Sequence, residues 1–134
     1  MTKFNVLLIL LAFTGCTTTR DSVLGTPQTQ VQMRSYQSRA FDTEDENMVM
    51  RSLIATMQDL GFVIENADDK LKTVSGTSFA NGSKLTATVR KVGKQTIVRV
   101  NADQGNGTIT NPITYQNFFN SLRQSLFLDA NEIE

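Results

Sequence analysis

The chain has 134 residues, with 13 basic and 13 acidic side chains, no formal net charge, one cysteine and no histidine. Balanced charge argues against a nucleic-acid binder and against a polybasic membrane patch. Without histidine there is no Ser-His-Asp or Cys-His centre and the commonest metal ligand is missing, while a lone cysteine forms no internal disulfide.

Lys3 precedes an apolar run, Val6 to Ala12, which ends in Phe13-Thr14-Gly15-Cys16. The apolar stretch from Phe4 to Phe13 covers about ten residues, against the roughly twenty that a spanning helix requires. A positive start, a short apolar core and small residues before a cysteine resemble a bacterial lipoprotein signal peptide. The resemblance implies removal of residues 1–15, leaving Cys16 as the first residue of the mature chain. Its thioether would carry a diacylglycerol group and its amine a further acyl chain such as palmitate. Thr17 stands where an aspartate would favour inner-membrane retention, so the resemblance implies a lipid-anchored protein of the cell envelope, on the periplasmic side of the outer membrane. At about 0.8 kcal/mol per buried methylene, several acyl chains make release negligible. Cys16 is then an anchor rather than a nucleophile.

Residues 16–30 read as the lipidated cysteine and a tether. Thr17, Thr18, Thr19, Gly25, Thr26, Pro27 and Gln28 build no core, and Val23 and Leu24 are the only apolar pair. Fully extended, the tether reaches about 45–50 Å. Residues 31–134 then form a single domain.

Within the domain, Val31, Met33, Tyr36, Ala40 and Phe41 suggest an extended first strand over residues 31–41. Asp42 and Thr43 offer N-cap side chains, and Glu44, Asp45 and Glu46 place negative charge on the first turn of a helix over 44–60. Val49, Leu53, Met57 and Leu60 form its stripe, widened by Met50 and Ile54, and Gly61 stops it. Phe62 to Asn66 reads as a short strand and Lys72 to Phe79 as the next, with a hairpin turn at Asn81-Gly82. Leu85, Ala87 and Val89 alternate with polar residues. A type II′ turn at Gly93-Lys94 pairs Val89 with Val98, Ala87 with Val100 and Leu85 with Ala102, all on one apolar face. Gln104 to Asn111 reads as a loop. Pro112 opens a last helix with the stripe Tyr115, Phe119, Leu122 and Leu126, flanked by Phe118 and Phe127, and the acidic tail from Asp129 frays.

The order is β-α-β-β-β-β-α. One sheet face is apolar, the other threonine-rich and charged, and both helices are amphipathic. The economical arrangement is an α+β two-layer sandwich, an antiparallel sheet with two helices on one face. In this order, the passage Leu60-Gly61-Phe62-Val63-Ile64 and the downstream Asp69-Lys70-Leu71-Lys72-Thr73-Val74 resemble the helix-grip domains of the C-subunit lipoproteins of the outer-membrane barrel assembly machinery. That resemblance implies a non-catalytic role among envelope proteins.

No constellation in the sequence argues for catalysis, a metal or a cofactor other than the covalent lipid on Cys16. The carboxylates Asp42, Glu44, Asp45 and Glu46 are read as complementing a helix N-terminus, and Asp68-Asp69 as a turn, because no loop of alternating oxygen ligands surrounds either. Gln104-Gly105-Asn106-Gly107 lacks the spacing and lysine of a phosphate loop. Met48, Met50 and Met57 read as packing on the sheet. The best candidate partner surface is the open sheet face, with Arg90, Ile97 and Arg99 joined by Lys84 and Phe79. The function expected is a protein-interaction module in an envelope assembly. The alternative is a carrier of a lipid or other apolar small molecule, which would need a cavity of several hundred cubic ångströms beside Phe118, Phe119, Met57 and Val98.

Overall fold

A computed structural model describes residues 30–131. The signal-like segment, Cys16 and the tether up to residue 29 lie outside the described residues, as do residues 132–134 of the tail.

The first described element corrects the expectation of a strand over 31–41. Helix α1, Gln30–Gln37, precedes a short strand β1, Ser38–Phe41. The reason is visible in the burial. Met33, Tyr36 and Gln37 are the inward residues, at the spacing of one helical face, and glutamine, methionine and arginine are all good helix formers. The Tyr36 ring tilts against Tyr115 with centroids 5.5 Å apart. Gln37, fully enclosed, donates from Nε2 to Tyr115 Oη at 3.3 Å.

Helix α2, Glu46–Asp59, begins later than residue 44 because Asp45 is its N-cap: Asp45 Oδ1 accepts from Met48 N at 3.0 Å. Neither Asp42 nor Thr43 caps it. Thr43 Oγ1 accepts from Asp45 N, and Asp42 accepts from Gln95 Nε2 across the connection. The helix stops at Gly61, whose φ is +84°.

Strands β2, Phe62–Asp68, β3, Thr73–Ser78, β4, Lys84–Val92, β5, Gln95–Gln104, and β6, Gly107–Thr108, form one antiparallel sheet with β1. Its order is β1-β5-β4-β3-β2, with β6 also on β5. The expected register holds: Val89 faces Val98, Ala87 faces Val100 and Leu85 faces Ala102. Gly93 takes the positive φ, +62°, that the first position of the turn needs. The Asn81-Gly82 hairpin has a longer connection than two residues. Strand β3 ends at Ser78, and Gly82 N donates back to Ser78 O. A β-bulge between Ile64 and Asn66 carries β2 on to Asp68. Part of the expected loop 104–111 is β6, which pairs Thr108 with Asp103.

Helix α3, Pro112–Asn131, begins at the expected proline. Tyr115, Phe118, Phe119, Leu122 and Leu126 are buried, but Phe127 faces solvent. Helices α2 and α3 pack on the inner sheet face over Val74, Leu85, Ala87, Val89, Val98 and Val100. Arg39 of β1 lies over the Phe119 ring at 5.1 Å. The α+β arrangement stands, an open antiparallel sheet flanked by helices, with α1 added at the β1 edge. Among the described residues no helix is long and apolar enough to cross a membrane.

Candidate functional site

The open sheet face brings Arg90, Ile97 and Arg99 together, but Lys84 lies apart from them. Arg90 on β4 lies directly opposite Ile97 on β5, and Arg99 lies opposite Thr88 on one side and Ser38 on the other. Arg90 and Arg99 are diagonal neighbours, roughly 7–8 Å apart at the backbone. Ile97 is half-buried, between Arg90 and Ala40 of β1. Lys84 starts the same strand as Arg90, about 20 Å away at strand rise. It pairs with Glu65 at 3.6 Å, and Glu65 also accepts from Thr77 Oγ1. Phe79 belongs to the turn beyond Lys84 and is 89% exposed.

At that end of the sandwich the two layers part into a cleft of about 670 Å³. Its floor is Phe62, Leu85, Ala102 and Ile109, and Phe118 of α3 forms a wall. Apart from Leu60 and Ala80, the remaining lining is amide or hydroxyl, including Asn81, Gln104, Asn117 and Ser121, and no charged residue lines it. Exposed apolar side chains belong to this lining or adjoin it in the chain. Leu60 lines the cleft, and Phe79 and Ile113 stand in the chain next to lining residues. The cleft does not come from a loose core, because Met57, Val98 and Phe119 are completely enclosed. It opens beside them, where α3 diverges from the β3–β4 turn. Its signal in the sequence is a second stripe on α3, Thr114, Asn117, Phe118 and Ser121, at helical spacing but mixed in polarity.

On the other side of the segment joining β6 to α3, a groove of about 380 Å³ runs between α1 and β5. Arg34 and Arg99 line it together with Gln30, Asn101, Thr108 and Thr110. The two tyrosines behind it hold the connecting segment. Tyr36 Oη donates to Thr110 O at 3.1 Å, and Tyr115 Oη donates to Ile109 O at 2.6 Å. Desolvation raises the Tyr36 phenol above its ordinary value of 10.0, and the Tyr115 phenol pushes the same way.

The carboxylates near α2 hold the β4–β5 hairpin against the helix start. Glu46 accepts from Lys91 N at 2.6 Å, and Glu44 pairs with Lys91 Nζ at 3.6 Å. Asp68 Oδ1 accepts from Lys70 N and Leu71 N, closing the β2–β3 turn. Among the described residues no group of three or more cysteine, aspartate or glutamate side chains is placed to hold a metal ion. The chain matches no protein-family model, and no curated protein matches it.

Proposed function

We propose that this chain is a lipid-anchored, non-catalytic binding module of the bacterial envelope. Cys16 carries the lipid and holds the protein at the periplasmic face of the outer membrane. The domain engages protein partners of an envelope assembly through the cleft between α3 and the sheet. The observation that carries the binding role is the cleft's chemistry. It joins an apolar floor to an uncharged amide and hydroxyl rim, in a chain where 19% of residues are charged. Such a surface suits a neutral peptide segment that inserts an aliphatic or aromatic side chain and satisfies its backbone at the rim.

A second reading, a carrier of an apolar small molecule, draws support from the same volume. The two separate by experiment. A photocrosslinking residue at Phe79 or Asn117 in intact cells should capture discrete proteins, whereas one at Gln58 on the outer side of α2 should not. A carrier would instead release an apolar compound when the purified chain is examined by native mass spectrometry. Equal protein capture from Gln58 and Asn117 would remove the cleft from the reading. For the anchor, Cys16→Ser should abolish incorporation of a fatty-acid analogue and leave the precursor unprocessed, and equal label on both chains would sink it.

A further inference from the structure

The groove between α1 and β5 has a chemistry opposite to that of the cleft. Arg34 projects from the last turn of α1, and Arg99 from the middle of β5, far away in sequence. Both line the groove, and no carboxylate does. Gln30, Asn101, Thr108 and Thr110 supply amide and hydroxyl groups around them. Among the described residues the ion pairs are those of Lys72, Lys84 and Lys91, so neither arginine is neutralised by a partner. The carboxylate next to the groove in the sheet is Asp103, which accepts from Thr108 Oγ1 at 2.9 Å and faces Lys84 across the β4–β5 ladder. Arg90, diagonal to Arg99, extends the positive field over the open face.

Two unpaired guanidinium groups lining one groove, which Met33 also lines, repel each other unless an anion lies between them. Guanidinium groups match the oxygens of phosphate in pairs, and hydroxyl and amide donors complete such a shell. We infer that this groove binds a phosphate group, with Arg34 and Arg99 as its charged contacts and Thr110 and Asn101 as neutral ones. The phosphate belongs either to a soluble phosphate ester or to a phosphodiester of a lipid headgroup. The inference does not depend on what occupies the cleft or on lipidation of Cys16.

Calorimetric titration of the full chain carrying Cys16→Ser tests it, with inorganic phosphate and glycerophosphoglycerol as probes and sodium chloride at matched ionic strength as reference. Saturable binding of one or both phosphate probes beyond the chloride reference is expected. Arg34→Gln and Arg99→Gln should each weaken it about 10-fold or more, the scale of losing a hydrogen bond to a charged group. Arg99→Lys, which keeps the charge but loses the paired geometry, should fall between. Arg123→Gln, on α3 and bonded to Asn120, should bind as the unaltered chain does. Tighter binding of the diester identifies a headgroup, and tighter binding of inorganic phosphate identifies a soluble ester. Thermal melts check that each variant is folded, which the exposure of both arginines favours. No saturation above chloride, equal affinity in the Arg34 and Arg99 variants, or an equal loss in Arg123→Gln would overturn the assignment.

Discussion

Gly76 leaves no room for a side chain between β2 and Met57 of α2, so the sensitivity of the fold can be worked out there. It lies on the inner face of β3, opposite Ile64 of β2 and Leu85 of β4. A Cβ added at Gly76 would stand 2.7 Å from Val63 O and 3.1 Å from Met57 Cε. Met57 has rotatable bonds and can yield, but Val63 O belongs to the backbone of β2 and moves only if the strand shifts. Alanine lowers the entropy of the unfolded chain relative to glycine, a gain of about 0.4–1 kcal/mol. Forcing a methyl group into a packed site costs about 1–3 kcal/mol. The clash prevails, and Gly76→Ala should destabilise the domain by roughly 1–2 kcal/mol, lowering Tm by about 4–8 °C per kcal/mol. Gly107→Ala is the control. No atom lies within 4 Å of a Cβ there, and the backbone needs no positive φ. Thermal melts followed by circular dichroism report both. If Gly107→Ala costs as much as Gly76→Ala, the close approach is not what requires glycine at position 76.

Val100→Asp should unfold the domain. It removes a buried valine worth about 1.5–3 kcal/mol and encloses an unpaired carboxylate, against a total stability of about 5–15 kcal/mol. Thr88→Asp on the opposite face, across from Arg99, should shift stability by no more than about 0.5 kcal/mol, and urea unfolding in which Thr88→Asp is the worse variant would contradict the facing of the sheet. Tyr36 should ionise above the ordinary 10.0 in a spectrophotometric titration of tyrosinate. Because the folded state holds this proton more tightly, its contribution to stability is complete below that ordinary value and is lost as pH rises through the folded one. A urea midpoint that rises over that range, once the Tyr36→Phe chain is subtracted, contradicts the sign.

The elements legible in the sequence were those with sustained periodicity. Helix α2 and helix α3 each repeat an apolar stripe over several turns, and β4 and β5 combine alternation with a turn that fixes their register. Helix α1 was not legible, because its stripe is a single turn in which one inward residue, Gln37, is polar and is satisfied by Tyr115, far along the chain. The β1 pattern beside it, Ala40 and Phe41, was real and drew the whole segment toward a strand. Strand β6 has two residues and is defined only by its pairing with β5. Of the candidate surface, Arg90, Ile97 and Arg99 follow from the register, since a ladder decides which residues become neighbours. Phe79 was assigned to the sheet because β3 was carried one residue too far, and the structure places it, exposed, in the turn that follows Ser78. Neither the cleft nor the groove could be read directly, because each depends on where α3 or α1 meets strands remote in the chain.

The same segment separates the two candidate sites. Thr108 and Thr110 line the groove while Ile109 and Asn111 line the cleft, an alternation expected of extended chain. The segment is fixed by Ile109 N donating to Ala102 O at 2.8 Å and by the phenols of Tyr36 and Tyr115 on its carbonyls. Tyr115 is 1% exposed, and its oxygen both donates to Ile109 O and accepts from Gln37 Nε2. Tyr115→Phe keeps the ring and its packing but leaves an enclosed amide and a carbonyl without their partner. Each unsatisfied buried group costs about 1–3 kcal/mol, so the variant should melt well below the unaltered chain. The loss should be local as well as global. Hydrogen exchange at the Ile109 amide should accelerate more than at Val98 in the middle of β5, because the segment opens without the sheet coming apart. A Tyr115→Phe chain with unchanged Tm and unchanged exchange at Ile109 would mean that the phenol does not hold the wall between the sites.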